Sequence, residues 1–353
     1  MYRARRRRLL LGVVLILLLA DAAAHLHSGA VHPLVPPSRA RNDPFPAAVS
    51  WPVQGQAAFV LGDGPVTASP DQQPVPIASL AKVMTAYLTL RRYPLSEVQE
   101  GFGITITSAQ AQEEAQDAAE NQSGVAVAPG EELTERQLLE ALLIPSGNNI
   151  ARILAAQVAG SEASFVAAMN STARALGMGR TIYTDPSGFD PGTVSTAADQ
   201  LRVFEAAMRL PAFRQVVSMP DVTLPVAGTL TNFNPLIDEG YVGKTGSDSA
   251  AGGCLAFATD VTVGGAQMTA AGVVLGQGQG SDTRGLLGAA AEAATQLIES
   301  LATATGAPTT GTTRTAGGPE RAPATSARGP LLAQRRIPDH PGSERPLDPQ
   351  EHA

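Results

Sequence analysis

The chain has 353 residues, 44% hydrophobic, 16% charged and 4% aromatic, with a formal net charge of −7. That is enough apolar material for one sizeable core and too little net charge for a disordered chain. The first 24 residues carry five Arg against one Asp, which leaves about −11 on the remainder and argues against nucleic-acid binding by bulk electrostatics.

Arg3 and Arg5 to Arg8 make a basic start, and Leu9 to Ala20 form an apolar stretch that ends at Asp21, followed by Ala22-Ala23-Ala24. Residues 1–24 read as a signal peptide or an N-terminal anchor, and either one places the body outside the cytoplasm. Residues 25–50 form a Pro-rich linker. Residues 51–301 form one domain. Within it, strand patterns fall at 57–61, 241–244, 253–258 and 267–275. Helical periods fall at about 79–92, 134–144, 148–158, 162–176, 196–209 and 282–301. Strands flank the helices at both ends, which predicts an α+β fold: an antiparallel sheet built from both chain ends around a helical insert. Residues 302–353, rich in Pro, Thr, Gly and Arg, read as a disordered tail with neither a polybasic anchor nor an amphipathic helix.

The residue inventory narrows the chemistry. Cys254 is the only cysteine, and all five His (His25, His27, His32, His340, His352) lie near the termini. A disulfide, a Ser-His-Asp triad and a His-ligated metal site are therefore excluded from the body. Of 25 basic residues only Lys82 and Lys244 are Lys. Lysine can give up its proton at accessible pH and arginine effectively cannot.

Ser79 and Lys82 stand three apart at the start of an apolar helix, on one face. Without His, a lysine is the available base for the serine. Working near neutrality requires its pKa to fall about three units from ~10.4, and burial beside a second cation pushes that way. Taken alone, the pair could equally be a serine N-cap followed by a snorkelling lysine. Pro145-Ser146-Gly147-Asn148-Asn149 separates two helices and by itself is an ordinary turn. Gly243 and Gly246 flank Lys244-Thr245 on a short strand, which allows a peptide-like anion close to the backbone. The alternative there is a solvated strand end. Taken together, SxxK, SxN and KTG form an ordered set containing both lysines, with the parts of a serine acyl-transfer machine.

These motifs, within IASLAKVMTA, LLEALLIPSGNNIA, TDPSGFD, LTNFNPL and KTG followed by AGGCL, resemble those of the serine-type D-alanyl-D-alanine carboxypeptidases, the low-molecular-mass penicillin-binding proteins. The resemblance spans 51–301 and implies the serine β-lactamase/transpeptidase-like fold. It implies that Ser79 is the nucleophile, Lys82 its general base and Ser146 a proton relay. Asn148 would hold the substrate amide, and Lys244 and Thr245 the terminal carboxylate. The backbone N–H groups of Ser79 and Ser247 would form the oxyanion hole, and Arg284 would add a carboxylate contact. The implied reaction removes the terminal D-Ala from peptidoglycan stem peptides without metal or organic cofactor, with β-lactams as covalent inhibitors. No nucleic-acid partner is implied, and any membrane tether is N-terminal.

Three departures accompany the resemblance. Ala81 stands where members commonly carry Thr. Ser247 and Asp248 follow KTG where an aromatic or His and then Thr are usual, and Asp248 is expected to repel an anionic substrate or neutralise Arg284. The family's additional C-terminal β-domain and anchor helix have no counterpart in this sequence. One competing reading is a class A β-lactamase, which needs a deacylating Glu in a loop where Asp185-Pro186-Ser187-Gly188 stands. Another is a non-catalytic peptidoglycan- or penicillin-binding protein. The Gly-rich stretch Gly276–Gly280 fails as a dinucleotide loop, because Ser281 replaces the third spaced glycine and no strand follows the next helix. Glu113, Glu114, Asp117 and Glu120 read as a solvated face rather than a metal site.

Overall fold

The structure, a computed structural model, describes residues 49–119 and 122–304. The readings made for residues 1–24, for the linker up to residue 48 and for the tail beyond 304 lie outside those residues. In chain order the elements begin with β1 (Gln56–Leu61), β2 (Thr67–Ala68), β3 (Val75–Pro76), a 3-10 turn at Ala78–Leu80 and α1 (Ala81–Arg92). Next come β4 (Gly103–Thr105), α2 (Ser108–Ala119), β5 (Glu132–Thr134), α3 (Glu135–Leu143), α4 (Asn148–Ala159) and α5 (Glu162–Ala175). After them follow β6 (Val194–Ser195), α6 (Ala197–Met208), α7 (Pro211–Val217), β7 (Asp221–Leu224) and β8 (Gly228–Thr231). The chain closes with β9 (Val242–Asp248), β10 (Gly252–Val263), β11 (Ala266–Gln277) and α8 (Thr283–Ala304).

The main sheet is antiparallel with strand order β2-β1-β11-β10-β9. β1 pairs with β11 in the register Gln56↔Leu275 to Leu61↔Ala270, so the two ends of the domain meet in its middle. β10 and β11 are joined by Gly264-Gly265, both at positive φ (59° and 84°), the backbone that a two-residue hairpin turn requires and glycine supplies without strain.

Alternation along the strands separates two cores. Ala58 and Val60 of β1, with Cys254, Ala256 and Ala258 of β10, face the helical insert. Ala57, Phe59 and Leu61, with Leu255 and Phe257, face α8 through Ala290, Ala294, Leu297 and Leu301. The sheet is thus covered on both faces, and β1 is buried along its whole length, with the apolar run AAFVL after Gln56. Phe257 is wholly buried and its ring lies 5.7 Å from that of Tyr241. Gly272 on the neighbouring strand makes room for it, since a Cβ there would stand 2.5 Å from the ring.

The predicted α+β order holds, and its helices and main strands fall where the periods place them. Two helices escaped that reading. α2 buries only Asp117, so it shows no apolar stripe, and α7 is a short helix with Pro211 at its first position. Side-chain caps start the insert helices α3 and α6, whereas α1 and α4, which carry Lys82 and Asn148, begin without one. Thr134 and Gln137 form a capping box before α3, and Thr196 caps α6 by accepting from Asp199 N. No helix among the described residues is long and apolar enough to cross a membrane.

Replacing Phe257 by Ala is expected to cost about 3–5 kcal/mol, read as a lower urea midpoint with unchanged slope. Gly272→Ala should cost ~1–3 kcal/mol in the parent protein and distinctly less beside Phe257→Ala, because the two groups compete for one volume.

Candidate active site

Ser79 sits in the middle of the 3-10 turn that feeds α1. Its neighbour Ala78 holds φ +44°, and only one other described non-glycine residue has positive φ, Ser146 at +67°. Backbone in this region is costly for an L residue and persists only where the surroundings enforce it. Here the surroundings are two glycines. Gly188, at φ +81°, lies so close that a Cβ would stand 1.8 Å from Ala78 O. From the other side, a Cβ on Gly246 of β9 would stand 3.0 Å from both Ser79 N and Ile77 O. The turn that carries Ser79 is therefore clamped between the 185–189 loop and the KTG strand.

Lys82, the second residue of α1, is completely buried. Its Nζ lies 2.7 Å from Ser79 Oγ, 2.7 Å from Asn148 Oδ1 and 2.9 Å from Ser187 O. Burial, aided by the charge of Lys244, holds its pKa well below the ordinary 10.5, with Asp185 opposing and Arg152 adding slightly. As a neutral amine it has two N–H groups, which the pure acceptors Asn148 Oδ1 and Ser187 O take. The lone pair is then left facing the Ser79 hydroxyl. The geometry fits a base poised on a serine.

Asn148 opens α4, and its amide is held on both sides: Oδ1 accepts from Lys82 and Nδ2 donates to Gln122 Oε1 at 3.1 Å. Ser146 is buried in its left-handed conformation, and its Oγ has no hydrogen-bond partner among the described residues. A buried hydroxyl in that state is a candidate for completion by a ligand.

Lys244 is also buried. Its Nζ donates to Thr245 O at 2.9 Å, and desolvation pushes its pKa down to about 7. Ser79, Ser146, Thr245, Gly246 and Ser247 share one pocket of about 130 Å³ with Ser123, Phe233, Thr283 and Leu287. Arg284 does not line it: the residue is exposed at the start of α8, and its neighbour Thr283 takes the lining position. Asp248 stands at the end of β9. Its Oδ1 accepts from Ala250 N and Ala251 N, and so caps the β9–β10 turn.

Asp185 is the residue that sequence reasoning passed over. Its Oδ2 accepts from Ser187 N, Ser187 Oγ, Gly188 N and Phe189 N, and its Oδ1 from Thr193 Oγ1. One buried carboxylate thus shapes the loop that presents Ser187 O to Lys82 and Gly188 to Ala78. The Asp-Pro-Ser-Gly string carried the signal, as an Asx-turn composition. In the acidic cluster, Glu113 and Asp117 pair with Arg152, Glu113 at 2.7 Å, and Glu120 lies outside the described residues.

A buried lysine weakens the fold wherever the unfolded chain binds the proton more tightly. For Lys244 that cost is absent above pH 10.5, grows as pH falls and is complete below about 7. Lys244→Met should therefore raise unfolding stability at pH 7, by on the order of 4 kcal/mol, with the gain shrinking towards pH 10.5 in urea titrations. Asp185→Ala should lose ~3 kcal/mol by the same assay, since it strands several buried donors.

The sequence pattern of the D-alanyl-D-alanine carboxypeptidase family (Peptidase_S11) matches residues 64–279. The chain is 34% identical over 199 residues to the D-alanyl-D-alanine endopeptidase of Pseudomonas aeruginosa, covering 53% of this chain and 60% of that protein. It is 36% identical over 178 residues to the D-alanyl-D-alanine carboxypeptidase DacB2 of Mycobacterium tuberculosis, covering 49% and 57%. The chain thus spans about 60% of the length of these curated relatives. The crystal structure of the Streptomyces K15 DD-transpeptidase superposes with a TM-score of 0.60 at 27% identity, over 71% of this chain and 98% of that one. With its strands, helices and motif residues in that family's order, the chain belongs to the D-alanyl-D-alanine carboxypeptidase family of serine peptidases.

Proposed function

We propose that residues 51–301 form the catalytic domain of a serine-type hydrolase. It removes the terminal D-Ala from peptidoglycan stem peptides ending in D-Ala–D-Ala and is acylated by β-lactams. The reading rests above all on one observation, the 2.7 Å approach of a buried, desolvated Lys82 amine to Ser79 Oγ. Ser79 Oγ attacks the carbonyl carbon of the scissile bond, and its proton passes to Lys82 Nζ. The oxyanion is met by the backbone N–H groups of Ser79 and Ser247, where one such donor typically supplies about 2.7–4 kcal/mol. As the C–N bond breaks, the leaving D-Ala amine takes a proton relayed from Lys82 through Ser146 Oγ. A water molecule then cleaves the seryl ester by the reverse proton path. Asn148 orients the substrate amide, Lys244 and Thr245 bind the terminal carboxylate, and Arg284 adds attraction for it from the rim.

The substrate places the chain's action outside the cytoplasm, with residues 1–24 as its signal or tether. The class A β-lactamase alternative requires a carboxylate free to activate a deacylating water. The acid in the corresponding loop, Asp185, already accepts from five donors of its own loop. A silent binder has no need of a lysine poised on the serine.

D-Ala release from a peptide ending in D-Ala–D-Ala should fall by roughly 10⁴-fold or more in Ser79→Ala. A folded parent protein that releases no D-Ala overturns the reading. The pH profile of kcat/KM should be bell-shaped. Its rising limb belongs to Lys82 losing its proton, well below pH 10.5, and its falling limb to Lys244 losing its charge above about 7. In Lys244→Met the falling limb should vanish and KM should rise by about 10–100-fold, the worth of a charged hydrogen bond.

A further inference from the structure

α4 begins at Gly147 with no side-chain cap, and a strap formed by residues 122–125 takes the place of one. Asn148 N donates to Ser123 O at 2.7 Å. Val125 N donates to Asn149 Oδ1 at 3.0 Å, and Asn149 Nδ2 donates to Val125 O at 2.9 Å. The strap is fastened to α4 from its other end as well. Gln122 N donates to Asp117 O, and Asp117, the residue that α2 buries, pairs with Arg152, one turn after Asn148 on α4. Between these two fastenings lies Gln122, half-buried, with its Oε1 accepting from Asn148 Nδ2 at 3.1 Å.

Two hydrogen bonds at opposite ends fix a side-chain amide where one does not. With Oδ1 alone held, at Lys82 Nζ, the Asn148 amide could turn about its Cβ–Cγ bond and keep that contact, since this torsion is intrinsically broad. The second bond, to Gln122, sets the plane of the amide. It also sets the direction of the other N–H on Nδ2, for which no partner is found among the described residues. Nδ2 carries two donors: one fastens it to the strap, and the second is left for a ligand. Ser123, next in the strap, lines the same pocket as Ser79.

We infer that Gln122 is a positioning residue: through the Asn148 amide it aims the second N–H of Nδ2 at the carbonyl of the amide on the acyl side of the scissile bond. The inference deepens the proposed function and rests on its assignment of Asn148 to the substrate amide. Because Gln122 acts through Asn148, its effect falls on ligands that carry this carbonyl and spares those that lack it.

The test uses the full chain and two β-lactams that differ at this amide alone: benzylpenicillin, and its aminopenicillanic acid nucleus, which has a free amine in place of the amide. The parent protein should be acylated at Ser79 faster by benzylpenicillin, by about tenfold or more. In Gln122→Met, which removes the acceptor at nearly constant volume, that ratio should fall about fivefold, with the loss confined to benzylpenicillin. Gln122→Ser, too short to reach Asn148, should give the same loss without adding an apolar group. Gln122→Glu keeps an acceptor oxygen and should hold the ratio within about twofold of the parent's. Both compounds acylate the same serine, so any change in the state of Lys82 cancels from the ratio. Equal slowing of both compounds in Gln122→Met, an unchanged ratio, or a parent with no preference for benzylpenicillin overturns the inference and leaves the hydrolase reading standing. A parent that is acylated by neither compound and releases no D-Ala overturns both.

Discussion

The arrangement turns on one amine denied water. Lys82 is fully enclosed, and the structure supplies three fixed neighbours for its nitrogen: a hydroxyl, a side-chain amide and a main-chain carbonyl. Two of these only accept, so the neutral state is satisfied with its lone pair directed at the third. Each neighbour arrives from a different part of the chain. The hydroxyl comes from the turn before α1, the amide from the start of α4, and the carbonyl from the loop that Asp185 organises. Moving any one of them changes the state of the amine as well as the shape of the site.

Holding such a group costs stability, and the fold offsets it with cores on both faces of the sheet. Several costly features gather at the site: two buried lysines, two non-glycine residues at positive φ and one unpartnered buried hydroxyl, while Glu135, buried with Oε1 unpartnered among the described residues, is a further one at the start of α3. Elsewhere the elements are conventionally specified, with capped helices and a diglycine hairpin. Strain concentrated against a well-packed background is the pattern expected where preorganisation serves chemistry.

Much of this was legible in the sequence. The apolar runs of β1, β10 and β11 mark strands covered on both faces, and the stripes of the insert helices obey a period of 3.6, so the order of strands and helices followed from pattern. The three motifs were readable because only two lysines exist and both fall inside them. Less was readable where function depends on backbone direction. Nothing in the string says that Ser187 contributes its carbonyl rather than its hydroxyl, or that Asp185 is consumed by its own loop. Nor does the string say that Asp248, beside KTG, caps the tight turn that follows it. Arg284 stands at the start of α8, yet Thr283 is the residue that lines the pocket. α2 was invisible because it hides so little apolar surface.

The pairing of β1 with β11 joins residues more than two hundred positions apart, as Gln56 opposite Leu275 shows. Contacts of such long range form late, because loop closure must precede any gain from the pairing. A chain made from its N-terminus has its Ser79 turn long before β9 arrives to clamp it through Gly246. Competence at Ser79 is thus tied to the last-made third of the domain. Under the proposed function, covalent capture of a β-lactam would serve as a clock for maturation, marking molecules that have closed the sheet and passing over those that have not.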